Sequence, residues 1–286
     1  VITLTVMAAG QMMLLLKDPA ELYLFAVASV LVSIAAVPVA LSVAPSPQQP
    51  VAVHIDLPRL YRISPAGTLG CLATGLANGA FWGLAPVFAA QASGDVSLAA
   101  WFMSASVLGG AILQWPLGLL SDRLGRRKLQ SVAALSAASV AALIVAYAAD
   151  AGPVTIVALG AAWGAFAFPL YAISVAHTND HADPSEYVMV SGGLLLMYGI
   201  GAIIGPFLAS AVMTSNGATG LYLFTAGVHV VLLVYTLQRM FRRDSTPSEE
   251  HVDFSEALAT AQTASQVFEE EIQQAAELAT DDSPPR

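Results

Sequence analysis

The chain has 286 residues, 56% of them hydrophobic and only 11% charged, with a mean hydropathy of +0.68. A soluble domain carries roughly a quarter charged residues, and several apolar runs here reach the ~20 residues that cross ~30 Å of hydrocarbon as a helix. A water-soluble globular protein is therefore excluded, and an all-α membrane protein is expected. The net charge of −9 belongs to a tail: from Asp244 onward eleven acids face one base, Arg286, so the tail is −10 and the rest of the chain +1.

Residues 1–16 read as the remainder of an apolar helix, and the chain enters it without a signal-peptide n-region. The N-terminus is thus expected to be an internal position of a longer protein. Lys17-Asp18-Pro19 breaks that helix. Asp18, Pro19 and Glu21 then form a capping-box pattern for a second segment that runs to about Ser42. Pro45, Pro47 and Pro50 interrupt any helix, and residues 43–64 read as a polar linker carrying His54, Asp56, Arg59 and Arg62. A third segment is expected from Pro65 to about Ala90, a fourth from Ser97 to Leu120 and a fifth from Leu129 to Ala149. A sixth follows Pro153 to about Ala176, a seventh runs from Asp183 to about Thr214, and an eighth from Leu221 to about Met240. Asp183, Pro184 and Glu186 repeat the capping pattern of Asp18, Pro19 and Glu21. The division is therefore 1–42, linker 43–64, a six-helix body 65–240, and an acidic tail 241–286. Ala257, Leu258, Ala261, Ala264, Val267, Phe268 and Ile272 recur in that tail at helical spacing.

Nine bases (Arg59, Arg62, Arg123, Arg126, Arg127, Lys128, Arg239, Arg242 and Arg243) fall on one side of this eight-segment plan, against Lys17 on the other. The positive-inside rule then makes the linker, the loop after Leu120 and the tail cytoplasmic. Cys71 is the only cysteine and lies in an apolar segment, where a packing role is expected.

The stretch Gly118–Lys128, G-L-L-S-D-R-L-G-R-R-K, carries the most specific pattern. So much charge is expected in a tight turn at the membrane surface. Gly118 lets a helix end approach another backbone. Asp122 can bond free amides at a neighbouring helix start or pair with an arginine. Gly125 permits a sharp reversal, and Arg123, Arg126, Arg127 and Lys128 are expected to anchor the turn against lipid phosphates.

Gly75, Gly79 and Gly83 make a small-residue seam at four-residue spacing, and Gly160 with Gly164 and Gly201 with Gly205 repeat it. Asn78 and Trp82 share a face beside the first seam and are candidates to line a cavity or to pack between helices. Gln114 precedes a kinking Pro116. Trp163, Phe166 and Tyr171 crowd the sixth segment as packing or solute-contact residues. His229 lies near the middle of the last segment and reads as structural or lipid-facing. His177, Asp180, His181 and Asp183 have metal-like spacing in a short wet loop, and no metal site is expected there. No Asp, Glu, Lys or Arg lies deep in a segment, and no catalytic motif is present, so neither an enzyme nor a cofactor is expected.

The pattern G-x-x-x-D-R-x-G-R-R-K resembles the loop signature of the major facilitator superfamily (MFS). G-A-F-W-G-L-A-P-V-F at Gly79–Phe88 and A-I-L-Q-W-P-L-G at Ala111–Gly118 are similar to YcaD-type permeases of that superfamily. The resemblance implies twelve helices in two six-helix halves, with residues 65–240 as helices 7–12, Val1–Ser42 as a truncated helix 5 and a whole helix 6, and helices 1–4 missing. It implies a plasma (inner) membrane secondary transporter that moves a small organic solute by alternating access. A proton or sodium coupling ion, the lipid bilayer and a monomeric full-length state go with it; nucleic acid does not. It also makes Gly118–Lys128 a gate loop, with the sixth segment (helix 10) along the solute path. The alternative reading is a non-transporting membrane scaffold or receptor whose acidic tail binds a partner.

Overall fold

A computed structural model describes Gly10 and residues 22–41, 55–93 and 97–242. The first expected segment, the Asp18 cap and the acidic tail lie outside the described residues. Every regular element described is helical, as membrane depth requires of an open chain: a helix satisfies its own backbone amides and carbonyls where there is no water. The helices are α1 (Leu22–Leu41), α2 (Leu57–Ile63), α3 (Pro65–Ser93), α4 (Ser97–Leu124), α5 (Arg126–Tyr147), α6 (Pro153–Ala167), α7 (Pro169–Asn179), α8 (Tyr187–Asn216) and α9 (Gly220–Arg242). Six stretches are long and apolar enough to cross a membrane: five are α3, α4, α5, α8 and α9, and the sixth is α6 and α7 taken together as Pro153–Asn179. None of the described side chains of α1 is buried.

The structure departs from the sequence expectations in three places. Residues 57–63, read as linker, form α2. Asp56 caps it by accepting the Arg59 amide at 2.9 Å, and Leu60 plugs it into a cluster with Cys71, Val175, Met189, Val190 and Leu194. The sixth segment breaks at Phe168-Pro169, because Pro169 has no amide to donate. Pro116 lies, as expected, inside α4, which is continuous through it. The D-P-S-E pattern at 183–186 forms a 3-10 turn, Pro184–Glu186, and α8 starts at Tyr187 with no side-chain cap.

Water does not squeeze helices together inside a bilayer, so close backbone contact and dispersion must hold them. The glycines supply this contact. A Cβ on Gly75 would land on the Tyr198 carbonyl, on Gly79 on that of Ala202, on Gly201 on that of Leu72, and on Gly205 on that of Leu76. Gly83 is looser, with Pro206 at 3.6 Å. Positions 75, 79 and 83 meet 198, 202 and 206 in rising order, so α3 and α8 run parallel. The same holds for α4 and α6, where Cβ atoms on Gly160 and Gly164 would meet Phe102 and the Ser106 backbone. Hydroxyls inside the bundle are satisfied locally: Thr74, Ser106, Ser174, Thr178 and Thr236 each donate to the carbonyl four residues back, at 2.7–2.9 Å.

An aromatic cluster fills the space between these pairs. Trp163 is 0% exposed and stacks on Phe81 (centroids 5.0 Å, 21° between planes). It meets Phe168 and Tyr222 edge-on at 5.8 and 5.7 Å.

Candidate functional site

Because the spans alternate in direction, α2, the α4–α5 corner, the end of α7, the start of α8 and the end of α9 share one end of the bundle. All lysines and arginines among the described residues lie there. The turn expected over Gly118–Lys128 is a single residue: α4 ends at Leu124 and α5 begins at Arg126. Gly125 makes the corner at φ 91°, ψ 133°, a left-handed conformation that a side chain would strain. Gly118 is buried in α4.

The charges do not all go to lipid. Arg123 and Lys128 are exposed, but Arg126 and Arg127 are 2% and 8% exposed. Arg126 is clasped from two sides. Its Nη1 donates to Asp122 Oδ1 at 2.6 Å and to Ser121 Oγ at 3.2 Å, across the corner. Its Nε donates to Asp180 Oδ2 at 3.0 Å and its Nη2 reaches Oδ1 at 3.5 Å, a forked contact to the residue after α7. Arg127 Nε approaches His177 Nε2 at 3.4 Å. Two cations thus sit at the C-terminal end of α7, where the helix dipole favours them. The expectation that Arg126 and Arg127 anchor the turn to lipid phosphates is corrected here. The cause is Asp180, 54 residues on, whose side chain is 1% exposed against Arg126. The His177 ring packs edge-on against His181 at 4.7 Å, and among the described residues no acid, histidine and cysteine cluster suits a metal ion. One turn deeper, Gln130 of α5 donates to Ser174 Oγ of α7 at 3.0 Å. Glu186, expected to cap α8, instead pairs with Arg59 of α2.

The solute-path candidates separate by position. Asn78 is 5% exposed, lies beside the Tyr198 hydroxyl, and its Oδ1 has no hydrogen-bond partner among the described residues. Tyr171 packs edge-on to Tyr198 at 5.0 Å, and both are half-buried. Trp82 is half-buried and stacks on Phe168 at 5.9 Å. Asn78, Tyr171 and Tyr198 therefore form one polar patch between α3, α7 and α8. Phe166 is half-buried between two apolar clusters. Gln114 is buried in α4, away from the exposed Trp115. Trp163 is enclosed in the aromatic core. His229 is not lipid-facing: it is 1% exposed, its Nδ1–H donates to the Thr225 carbonyl at 2.7 Å, and its ring meets Trp163 at 6.2 Å. Sequence reasoning missed Tyr198 and the role of Asp180. For the second the local sequence offered no signal, because Asp180 is buried only by the packing of α7 against the α4–α5 corner.

Comparison with known proteins accords with this architecture. The family model described as Major Facilitator Superfamily matches residues 67–275. An uncharacterized MFS-type transporter of Yersinia pestis (strain Pestoides F) is 29% identical over 191 residues, covering 66% of this chain and 48% of the relative. One from Yersinia enterocolitica is 30% identical over 189 residues, covering 65% and 48%. The uncharacterized MFS-type transporter YcaD of Salmonella typhi is 27% identical over 175 residues, covering 61% and 44%. The chain thus spans about half the length of the curated relatives it matches. No solved structure matches. The family match covers well over half of the chain, and its range takes in nearly all of the six membrane-length helices; this multi-pass membrane protein belongs to the Major Facilitator Superfamily.

Proposed function

We propose that the chain is the C-terminal portion of a secondary transporter that moves a small organic solute across the plasma (inner) membrane by alternating access. Residues 65–240 form its six-helix half, 43–64 its linker, and α1 belongs to the other half. The arginine-rich end, with the tail, is cytoplasmic; the one-sided placement of the described bases supports this.

The observation that carries the reading is the clasp on Arg126. A buried guanidinium held by Asp122 of one helix and Asp180 beyond another ties α4, α5 and α7 at one end of the bundle. Such a tie is either made or broken, which is what a two-state gate requires. The solute contacts the patch of Asn78, Tyr171 and Tyr198 and the flanking Trp82. Trp163 supports that wall through Phe168, which meets Trp163 edge-on and stacks on Trp82. The patch holds no carboxylate, so either a proton-coupling group lies on helices outside residues 65–240 or the transport is not proton-coupled.

The test uses the full-length protein, with the upstream helices, in a whole-cell flux screen of organic solutes. Asp122→Asn is expected to reduce flux and to shift cysteine accessibility at the arginine-rich end, with expression unchanged. Unaltered flux and accessibility would sink the gate assignment, and no flux of any solute class would sink transport itself.

A further inference from the structure

An apolar groove of about 560 Å³ opens on the side of the bundle between α3, α8 and α9. Leu72 and Leu76 line one wall, Leu208 and Val212 the second, and Phe224 and Val231 the third. All of its lining side chains are hydrocarbon except Tyr235, at one end. Gly227 forms part of the floor, and a Cβ there would have nothing within 4 Å. The space is open rather than tightly packed.

The ends of the groove differ chemically. From Leu223 to Tyr235 the floor is thirteen residues of α9, twelve rises of 1.5 Å or ~18 Å, close to the ~15 Å of hydrocarbon in one leaflet. At the far end there is only apolar side chain. At the near end the Tyr235 hydroxyl meets the Tyr61 hydroxyl at 3.2 Å. Arg239 stands one turn beyond Tyr235 on α9, near enough for its charge to act on the Tyr235 hydroxyl, and Arg62 follows Tyr61 on α2. Arg59, on the same short helix, is neutralised by Glu186. Among the described residues, Arg62 and Arg239 have no carboxylate partner; Arg62 Nε reaches only the Pro58 carbonyl, at 3.4 Å. The hydrocarbon slot is about one leaflet long and ends in two hydroxyls and two cations that have no carboxylate partner among the described residues, all at the arginine-rich membrane surface.

We infer that this groove is a binding site for an anionic glycerophospholipid. One acyl chain lies along α9 between α3 and α8, and the headgroup phosphate sits at Arg62 and Arg239 with the Tyr61–Tyr235 pair beneath it. The apolar wall alone would accept any lipid tail. The two arginines select a net negative headgroup, because a zwitterionic lipid carries its own cation and gains less from them. The lipid ties α2, which carries Tyr61 and Arg62, to α9, which carries Tyr235 and Arg239. The site is separate from the Asn78–Tyr198 patch, and the inference does not depend on which solute is moved.

The experiment reconstitutes the full chain into bilayers of equimolar phosphatidylglycerol and phosphatidylcholine with matched acyl chains. The chain is then extracted gently and its retained lipid identified by native mass spectrometry. Near the surface each arginine contributes about a fivefold preference for anionic lipid at low ionic strength, so wild type is expected to retain phosphatidylglycerol about 25-fold over phosphatidylcholine. Arg62→Gln with Arg239→Gln removes that preference and leaves tail binding, and lysine at both positions restores it. Gly227→Leu fills the open floor and lowers retention of both lipids. Equal retention of the two lipids by wild type, or an unchanged preference in the double glutamine variant, overturns the inference. So does a disulfide from Val231→Cys to Val32→Cys of α1, or between two Val231→Cys chains, because the occupant is then a helix and not a lipid.

Discussion

The clasp on Arg126 makes a graded prediction, because its two carboxylates differ in burial. The Asp180 side chain is 1% exposed and the Asp122 side chain 26%. Replacing Asp180 by Asn leaves a buried guanidinium short of its main counter-ion, and breaking a buried pair costs about 3–5 kcal/mol. The expected value is at the low end, about 3 kcal/mol, because Asp122 and Ser121 still accept from Nη1. Replacing Asp122 by Asn removes a partner that water already screens, worth up to about 1 kcal/mol. Replacing Arg126 by Gln takes the forked cationic partner from the buried Asp180 and belongs at the upper end, about 5 kcal/mol. For six helices of this size each kcal/mol shifts Tm by roughly 2–4 °C. Thermal unfolding of the detergent-solubilised chain should therefore drop by about 6–12 °C for Asp180→Asn and by no more than about 4 °C for Asp122→Asn. High salt should shrink the second loss and leave the first, because screening acts on the wetter pair. Arg126→Met combined with Asp180→Leu should be more stable than Arg126→Met alone, since an apolar replacement leaves no buried charge behind. A loss for Asp122→Asn equal to or larger than that for Asp180→Asn would refute the reasoning.

Other positions make independent predictions. Gly125→Ala forces a side chain onto φ 91° and should cost about 1–2 kcal/mol, read as a lower Tm, whereas Gly152→Ala, with nothing near its Cβ and an extended φ of −68°, should change Tm little. Gly205→Val drives a branched side chain into the Leu76 backbone; the α3–α8 pair should separate, seen as loss of the monodisperse peak in size-exclusion chromatography. Trp163→Ala empties the centre of the aromatic cluster and should cost about 3–5 kcal/mol, and retention of wild-type Tm would show that Trp163 is not the packing centre described.

How far the sequence alone could go follows from which interactions act locally. Apolar length, the proline breaks and the one-sided charge are properties of short windows, and they expose the helical membrane class and most of the spans directly. The fate of Arg126 is not local. A run of bases at a helix end reads as lipid-facing, because an isolated charge at that depth must find water or phosphate. Arg126 finds Asp180 instead, from a loop that its own window reads as a short wet turn. The same competition decides Glu186. Its spacing after Asp183 fits a helix cap worth about 1 kcal/mol, but α2 brings Arg59 within reach, and the carboxylate is drawn to a full charge over a helix-end partial one. His229 shows the converse. Its window allowed a lipid-facing ring, and only the position of α6 brings Trp163 against it. In each case the local pattern identifies the residue that carries unspent polar chemistry, and the packing of helices distant in sequence determines which partner receives it. Where two such partners compete for Arg126, the more buried one holds it harder, so the gate proposed here should open at Asp122 before it opens at Asp180.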